Sequence, residues 1–246
     1  MSLHGKRYRQ IRGAIDREAV YSPAQAVRML KEAEGAKFDE TVEVHMNLGL
    51  NVRHAEEQLR GTLMLPHGTG REQRVAVFAE GEKAKEAQDA GADVIGSADL
   101  AKRVEEGFTD FDVAIATPDQ MGNVGKLGRI LGPRGLMPNP KTGTVTMDVA
   151  KAVREAKAGK LEYRTDRGAN VHVPIGKRSF DERELVENYA ALIDEIVRAK
   201  PASAKGRYIK KITLASTMGP GIHVDPARTR GIVEDLEESE AATVSA

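Results

Sequence analysis

The sequence predicts a mixed α/β and α+β protein in two parts: an α+β domain split between the ends of the chain, with an α/β domain inserted into it. Three observations predict this. Residues 1–67 and 159–230 share one style, a few amphipathic strands with two helices. In residues 68–158 short apolar strands alternate with helices, which implies a parallel sheet with right-handed crossovers. Glycines at Gly68, Gly70 and Gly159 mark the two crossings, a natural hinge. No internal repeat is evident.

The elements follow in order. Lys6, Arg7, Arg9 and Arg12 form a basic opening. Ser22 and Pro23 start a helix, as N-cap and first helical residue. Ala26, Val27, Leu30 and Ala33 keep helical spacing, and Gly35 stops it. Phe38–Leu48 turns to period two: Val42, Val44, Met46 and Leu48 point one way, Thr41, Glu43, His45 and Asn47 the other. Gly61–Leu65 is a short strand ended by Pro66, and His67–Arg71 a hinge. Strands at Val75–Phe78, Val94–Ile95 and Val113–Ala116 then alternate with helices at Glu82–Ala90 and Leu100–Glu106, the latter capped by Ser97. Pro118 opens a further helical piece. After a short Thr144–Met147 segment comes a helix over Asp148–Lys157. Period two resumes in Lys160–Arg164 and at Val171, Val173 and Ile175. Ser179 caps a helix carrying Leu185, Tyr189, Leu192, Ile193 and Ile196, and Pro201 closes it. Ile212 with Leu214, and Ile222 with Val224, mark the last strands.

The most distinctive stretch is Gly125–Gly143, GKLGRILGPRGLMPNPKTG. Its density of Gly and Pro excludes long helix or strand and predicts a structured loop after a short helical turn. No Asp or Glu occurs from Gln120 to Met147, whereas Lys126, Arg129, Arg134 and Lys141 do. Ile130, Leu131, Leu136 and Met137 are placed to pin it from beneath. Such a loop suits backbone approach to an anion; it is equally consistent with a well-packed turn whose charges are solvated.

Composition bounds the function. The 246 residues are 40% hydrophobic and 30% charged, as in ordinary globular proteins with ample core. There is no Cys, hence no disulfide framework or thiolate metal site. No apolar run reaches bilayer length, and the basic opening lacks the apolar segment of a secretory signal, so a cytoplasmic protein is expected. The formal net charge of zero hides a partition: residues 1–67 carry +1, 68–158 carry −1, 159–230 carry +5 and 231–246 carry −5. An acidic tail, Glu234–Glu240, expected to be disordered, thus cancels a basic split domain.

Catalytic chemistry finds little support. No G-x-G-x-x-G follows Val75–Phe78, and GNVGKL at 122–127 lacks P-loop spacing and its Ser/Thr. The six His residues show no metal-ligand spacing, and one such as His172, facing out of a strand, reads as a polar surface group. Carboxylate pairs such as Asp39-Glu40 and Glu56-Glu57 read as solvated. A nucleotide-dependent α/β enzyme and a protein-binding scaffold are the weaker alternatives, and no cofactor or metal is expected. RNA binding is the stronger class, because a basic surface gains affinity by neutralising phosphates. With 4% aromatics and no RNP-type strand, the expected target is folded RNA recognised by backbone, 2′-hydroxyls and shape rather than by stacking. Candidate contacts are Lys37–Thr41, Arg164–Gly168 and Ser216–Pro220, although the last is also an ordinary β-turn sequence.

These residues resemble a known family. GRILGPRGLMPNPKTGTV, together with KFDETVEVHMNLG, RTDRGANVHVPIGK and STMGP in the same order, is similar to the ribosomal protein L-one family, of bacterial type, over nearly residues 1–230. The resemblance implies a split α+β domain holding both termini and an inserted Rossmann-like, three-layer α/β domain. It implies a structural protein of the large ribosomal subunit's mobile stalk, acting on the ribosome in the cytoplasm. The implied partners are large-subunit rRNA, exit-site tRNA whose release it assists, and its own operon mRNA, whose translation it represses. Carried over by motif, the implied rRNA contacts are Lys37, Phe38, Thr41, Glu43, Asp166, Arg167, His172, Thr217, Met218 and Gly219. Arg167 stands where other members often have Lys, which keeps the charge but changes its geometry. Lys126, Arg129, Arg134 and Lys141 are secondary RNA-contact candidates. The acidic tail departs from the family pattern.

Overall fold

The structure, a computed structural model, describes residues 5–16, 18–229 and 231–232; the acidic segment Glu234–Glu240 lies outside the described residues. In chain order the elements are α1 (Lys6–Gly13), α2 (Pro23–Glu32), β1 (Thr41–Leu48), β2 (Arg60–Met64), β3 (Val75–Phe78), α3 (Glu82–Asp89), β4 (Val94–Gly96), α4 (Ala98–Glu105) and β5 (Val113–Ala116). They continue with α5 (Met121–Lys126), α6 (Gly128–Leu131), α7 (Val149–Lys157), β6 (Lys160–Arg164), β7 (Asn170–Lys177), α8 (Glu182–Arg198), β8 (Ile209–Ser216) and β9 (Ile222–Val224). The described residues up to Gly70 and from Tyr163 form one compact unit, and Arg71–Glu162 the other.

The split unit is built on an antiparallel sheet of order β7-β1-β8-β9. Alternation in β1 buries Val42, Val44, Met46 and Leu48 and leaves their neighbours half-exposed. Val171, Val173 and Ile175 of β7 and Ile212 and Leu214 of β8 are buried likewise. Helices α2 and α8 cover that apolar side. Helix α2 starts with a reciprocal capping box: Ser22 accepts from the Gln25 N–H, and Gln25 Oε1 accepts from the Ser22 N–H at 3.2 Å. Helix α8 buries Leu185, Tyr189, Leu192, Ile193 and Ile196 along one face.

The inserted unit holds a parallel three-stranded sheet of order β4-β3-β5. Adjacent β3 residues serve opposite faces. Ala76 and Phe78 pack with Leu100, Val104, Val124, Leu127 and Leu131, and Val75 and Val77 with Ala87, Val149 and Val153. All four residues of β3 are buried, the signature of a strand covered on both sides.

Several local expectations are corrected. The basic opening is helical, as α1. The first strand begins at Thr41 rather than Phe38, because Ala36–Asp39 is drawn into a turn by Glu40. Ser97 precedes α4 without a side-chain capping bond; its hydroxyl meets Glu80 and Gln120, and Asp99 accepts the Ser97 N–H at 2.8 Å. Ser179 donates its hydroxyl to Asp39 at 2.8 Å, so the cap of α8 falls to Asp181, whose N–H is accepted by Glu184 at 2.9 Å. Helix persists over Gly128–Leu131, since Leu131 is anchored in the core, and the irregular loop starts only after it.

The segment leading to the first crossing is tied down within the split unit. Gly70 has φ +69°, and a Cβ there would come 2.7 Å from the Phe180 ring and 2.8 Å from Lys177 Cγ, so glycine is required on both grounds. Asn188, fully buried on α8, accepts the His67 N–H at 3.1 Å and donates to the carbonyls of Gly68 (3.0 Å) and Ile175 (2.7 Å). One side chain thereby satisfies three backbone groups that secondary structure leaves open. Replacing it by an apolar isostere strands all three. Asn188→Leu is expected to lose about 3 kcal/mol of stability, measured by urea denaturation; a loss within about 0.5 kcal/mol contradicts this role.

Candidate nucleic-acid interface

The side of the β7-β1-β8-β9 sheet that faces away from α2 and α8 carries the polar half of each strand. Register sets its rows. Thr41 lies opposite Lys177 and His45 opposite His172, while on the other flank Asn47 faces Lys211 and His45 faces Thr213. His223 lies opposite Thr213 and completes the central row.

One end of this face is a knot of the first strand's approach and the Ser216–Gly219 turn. Thr41 N–H donates to Thr217 Oγ1 at 3.0 Å, Thr217 N–H donates to the Thr41 carbonyl at 3.1 Å, and Lys177 Nζ donates to Thr41 Oγ1 at 2.9 Å. Beneath them lies the Glu40 carboxylate, 1% exposed. It accepts the N–H of Ala36 at 2.5 Å and of Met218 at 3.0 Å, with Arg178 and Arg7 each 3.9 Å away. Burial alone would raise its pKa; hydrogen bonds from Ser216, Met218 and Ala36 and the Arg178 charge outweigh that and hold the carboxyl below its ordinary value. Glu40 thus locks the two turns that display Phe38 and Met218, both large apolar side chains more than half exposed. Gly219 closes the turn where a Cβ would collide with the Ser216 hydroxyl.

The other end is the Asp166–Asn170 loop. Asp166 accepts from the N–H groups of Gly168 (2.8 Å) and Asn170 (2.7 Å) and from the Asn170 amide (3.0 Å). These bonds, those to Asn170 foremost, hold its carboxyl below the ordinary value against partial desolvation. The loop includes Ala169 at φ 59°, a left-handed conformation rare outside glycine, and its carbonyl accepts the Leu48 N–H at 2.9 Å. Arg167 at the tip is exposed. Asp166 therefore shapes the loop and Arg167 presents the charge.

The centre holds Glu43, His45 and His172. The two imidazoles meet Nδ1 to Nδ1 at 2.9 Å, edge to edge with their planes 61° apart, with Nε2 of His45 3.7 Å from Glu43 and Nε2 of His172 3.7 Å from Asp166. Burial and the neighbouring His172 lower the pKa of His45, with Glu43 opposing. Beyond β8, an open cleft is lined by Arg207, Lys210, Lys211 and His223, along with Glu18 and Asp225.

All ten residues proposed from sequence motifs fall on this one unit. Thr41, Glu43 and His172 occupy the sheet itself; Lys37, Phe38, Thr217, Met218 and Gly219 lie at the Thr41 end and Asp166 and Arg167 at the Asn47 end, roughly 20 Å apart along β1 by strand rise. They form two clusters joined by a central row rather than one patch. Three expectations change. Glu40 is buried and structural rather than solvated, and Asp39 is committed to Ser179. Glu57 caps a turn by accepting the Asn51 N–H at 2.7 Å. His172 is half of a pair rather than a lone surface group. His45, Lys177 and Lys211 were missed as candidates; the alternation of β1 already turned His45 toward Glu43, but its cross-strand partner is not visible in sequence.

In the inserted unit, Lys126, Arg129, Arg134 and Lys141 are all exposed, and Ile130, Leu136 and Met137 pack against the core under them. Arg134 donates to the Thr109 hydroxyl. Among the described residues there is no group of three or more side chains suited to a metal ion, and no helix long and apolar enough to cross a membrane.

The sequence model of the Ribosomal protein L1p/L10e family matches residues 30–220, a range that takes in all ten candidate residues from Lys37 to Gly219. The chain belongs to this family. Among similar proteins, one from Thermobifida fusca (strain YX) named large ribosomal subunit protein uL1 is 62% identical over 225 residues, 92% of this chain and 96% of its own. The proteins of the same name from Rubrobacter xylanophilus and Rhodococcus erythropolis are 60% and 57% identical, covering 93% and 97% of this chain and the whole of their own. The match leaves α1 and β9 outside the family region and β1, β7 and β8 within it.

Glu40 generates a testable consequence. Its folded pKa is lowered, so its contribution to stability is full above the ordinary value of 4.5 and is lost as pH falls below that. Glu40→Gln keeps the shape but can accept only one of the two amide hydrogens well. It is expected to cost about 2 kcal/mol at neutral pH and to flatten the acid limb of the stability–pH curve, read by denaturation from neutral to acid pH. An unchanged acid limb excludes the role.

Proposed function

We propose that this protein is a structural component of the large ribosomal subunit, with the split domain, residues 1–67 and 159–230, binding large-subunit rRNA. The inserted domain, residues 68–158, offers Lys126, Arg129, Arg134 and Lys141 as a second, weaker RNA contact. The names of the relatives, at 57–62% identity, support the ribosomal placement. The observation that carries the RNA assignment is the knot of Glu40, Thr41, Thr217 and Met218, which holds exposed Phe38 and Met218 beside Lys37 and Lys177. Threonine hydroxyls, a soft methionine edge and a glycine without a side chain suit close packing on ribose, and Glu43 is an acceptor for 2′-hydroxyl or base-edge donors. The lysines and Arg167 supply phosphate contacts. In this proposal the same face binds a matching structure on the operon mRNA and so represses it, and the protein assists exit-site tRNA release from the cytoplasmic ribosome. Membership of a ribosomal protein family leaves the nucleotide-dependent enzyme without support.

The test is binding to a fragment of large-subunit rRNA. Affinity is expected to fall steeply with salt. Met218→Asp is expected to weaken binding by at least about tenfold, while Arg74→Ala, which removes only an ion pair with Asp110 in the inserted unit, changes it less than about twofold. A flat salt dependence, or equal effects of the two substitutions, overturns the assignment.

A further inference from the structure

The central histidine pair has a geometry that a surface role does not require. Nδ1 of His45 and Nδ1 of His172 are 2.9 Å apart, and the ring centroids are 5.0 Å apart. That separation is nearly the N···N distance plus the two ring radii, so the facing lone pairs aim almost at each other. Two bare lone pairs in that position repel; one N–H between them makes a hydrogen bond. A metal ion, bonded at about 2 Å to each nitrogen, needs lone pairs that converge off the line between them, so the head-on approach suits a proton instead.

The outer nitrogens complete the argument. Nε2 of His45 faces Glu43 and Nε2 of His172 faces Asp166, each at 3.7 Å. A carboxylate at that position favours a proton on Nε2. With both Nε2 atoms protonated, the shared Nδ1 position calls for one further proton, which leaves the pair with a single positive charge. A second is opposed by the charge of the first. Around the pair, Thr213 lies across from His45 on β8, Thr213 and His223 of β9 are 3.2 Å apart, Lys211 sits on the next row, Lys177 lies two rows away at the Thr41 end, and Glu18 and Asp225 lie in the cleft beyond β8 with His223. Helices α2 and α8 lie on the opposite side of the sheet. Asp166 already serves three N–H groups of its own loop, so its charge is largely committed.

We propose that His45 and His172 act as one proton-holding unit at the centre of the sheet face, and that this face takes up a proton from water there when an RNA phosphate docks against it. The inference rests on the RNA-binding role proposed above and adds its regulation: binding strengthens as pH falls. In the free protein the Nδ1–Nδ1 position is filled in only a fraction of molecules; a docked phosphate supplies the counter-charge that fills it in the rest, and the pair is then a cation.

Two measurements on the full-length protein test this. In the free protein, NMR titration of the imidazoles of wild type and His45→Ala reads the pair directly. The expected result is coupled titration of His45 and His172, with the course of His172 altered when its partner is removed. With the rRNA fragment, calorimetry in two buffers of different ionisation enthalpy counts protons. Wild type is expected to take up a proton on binding and to bind roughly tenfold tighter at about pH 5.5 than at about pH 8. His45→Ala, which removes a side chain outside the core, is expected to bind with little proton uptake and a much flatter pH profile. Independent titration of the two rings, or equal proton uptake by wild type and variant, overturns the proposal. Absence of RNA binding at every pH counts against the RNA role, while the NMR result still accepts or rejects the shared proton.

Discussion

Everything on the candidate face depends on β1 lying between β7 and β8. Thr41 and Thr217, 176 residues apart in sequence, exchange hydrogen bonds because that strand order closes one end of the sheet. Antiparallel pairing on both flanks fixes register, and register fixes which polar residues become neighbours. A slip of one residue would send Val42, Val44, Met46 and Leu48 to the outside. Burial of those four side chains under α2 and α8 therefore specifies the face as strictly as any polar contact on it.

Closing so long a loop costs chain entropy, although that cost grows only with the logarithm of loop length. The fold offsets it with contacts made only after closure. Glu40 joins the Ala36 turn to Met218, Asn188 joins β7 to the chain around His67 and Gly68, and Asp39 holds Ser179. Each is a polar side chain serving backbone groups that neither helix nor sheet satisfies. Glu40 also shapes the candidate face without being part of its exposed surface.

The inserted unit follows a different logic. Its strands are short and apolar and are covered on both sides, so it needs no polar face of its own. Its chemistry sits in the Gly- and Pro-rich loop, where Leu131, Leu136 and Met137 face the core and four cations face water. Apolar anchors under a loop of breakers keep it ordered without regular hydrogen bonding, as a loop that presents charge must be.

Much of this was legible in the chain itself. Period-two runs located β1, β7 and β8 to within a few residues, and Ser22-Pro23 marked α2. Signals of that kind are local: a residue and its neighbours carry the alternation, the cap or the break. Helix starts failed where a nearby partner competed for the hydroxyl, as Asp39 does for Ser179. The roles of Glu40, His45 and Asn188 were not legible, because a carboxylate, an imidazole or an amide has no local signature for being buried or paired. The amino-acid order alone determined which elements form and which side of each is apolar. Only the tertiary structure decided that Glu40 meets Met218 and His45 meets His172, since strand pairing is a contact between segments far apart in sequence and nothing near either residue encodes its partner.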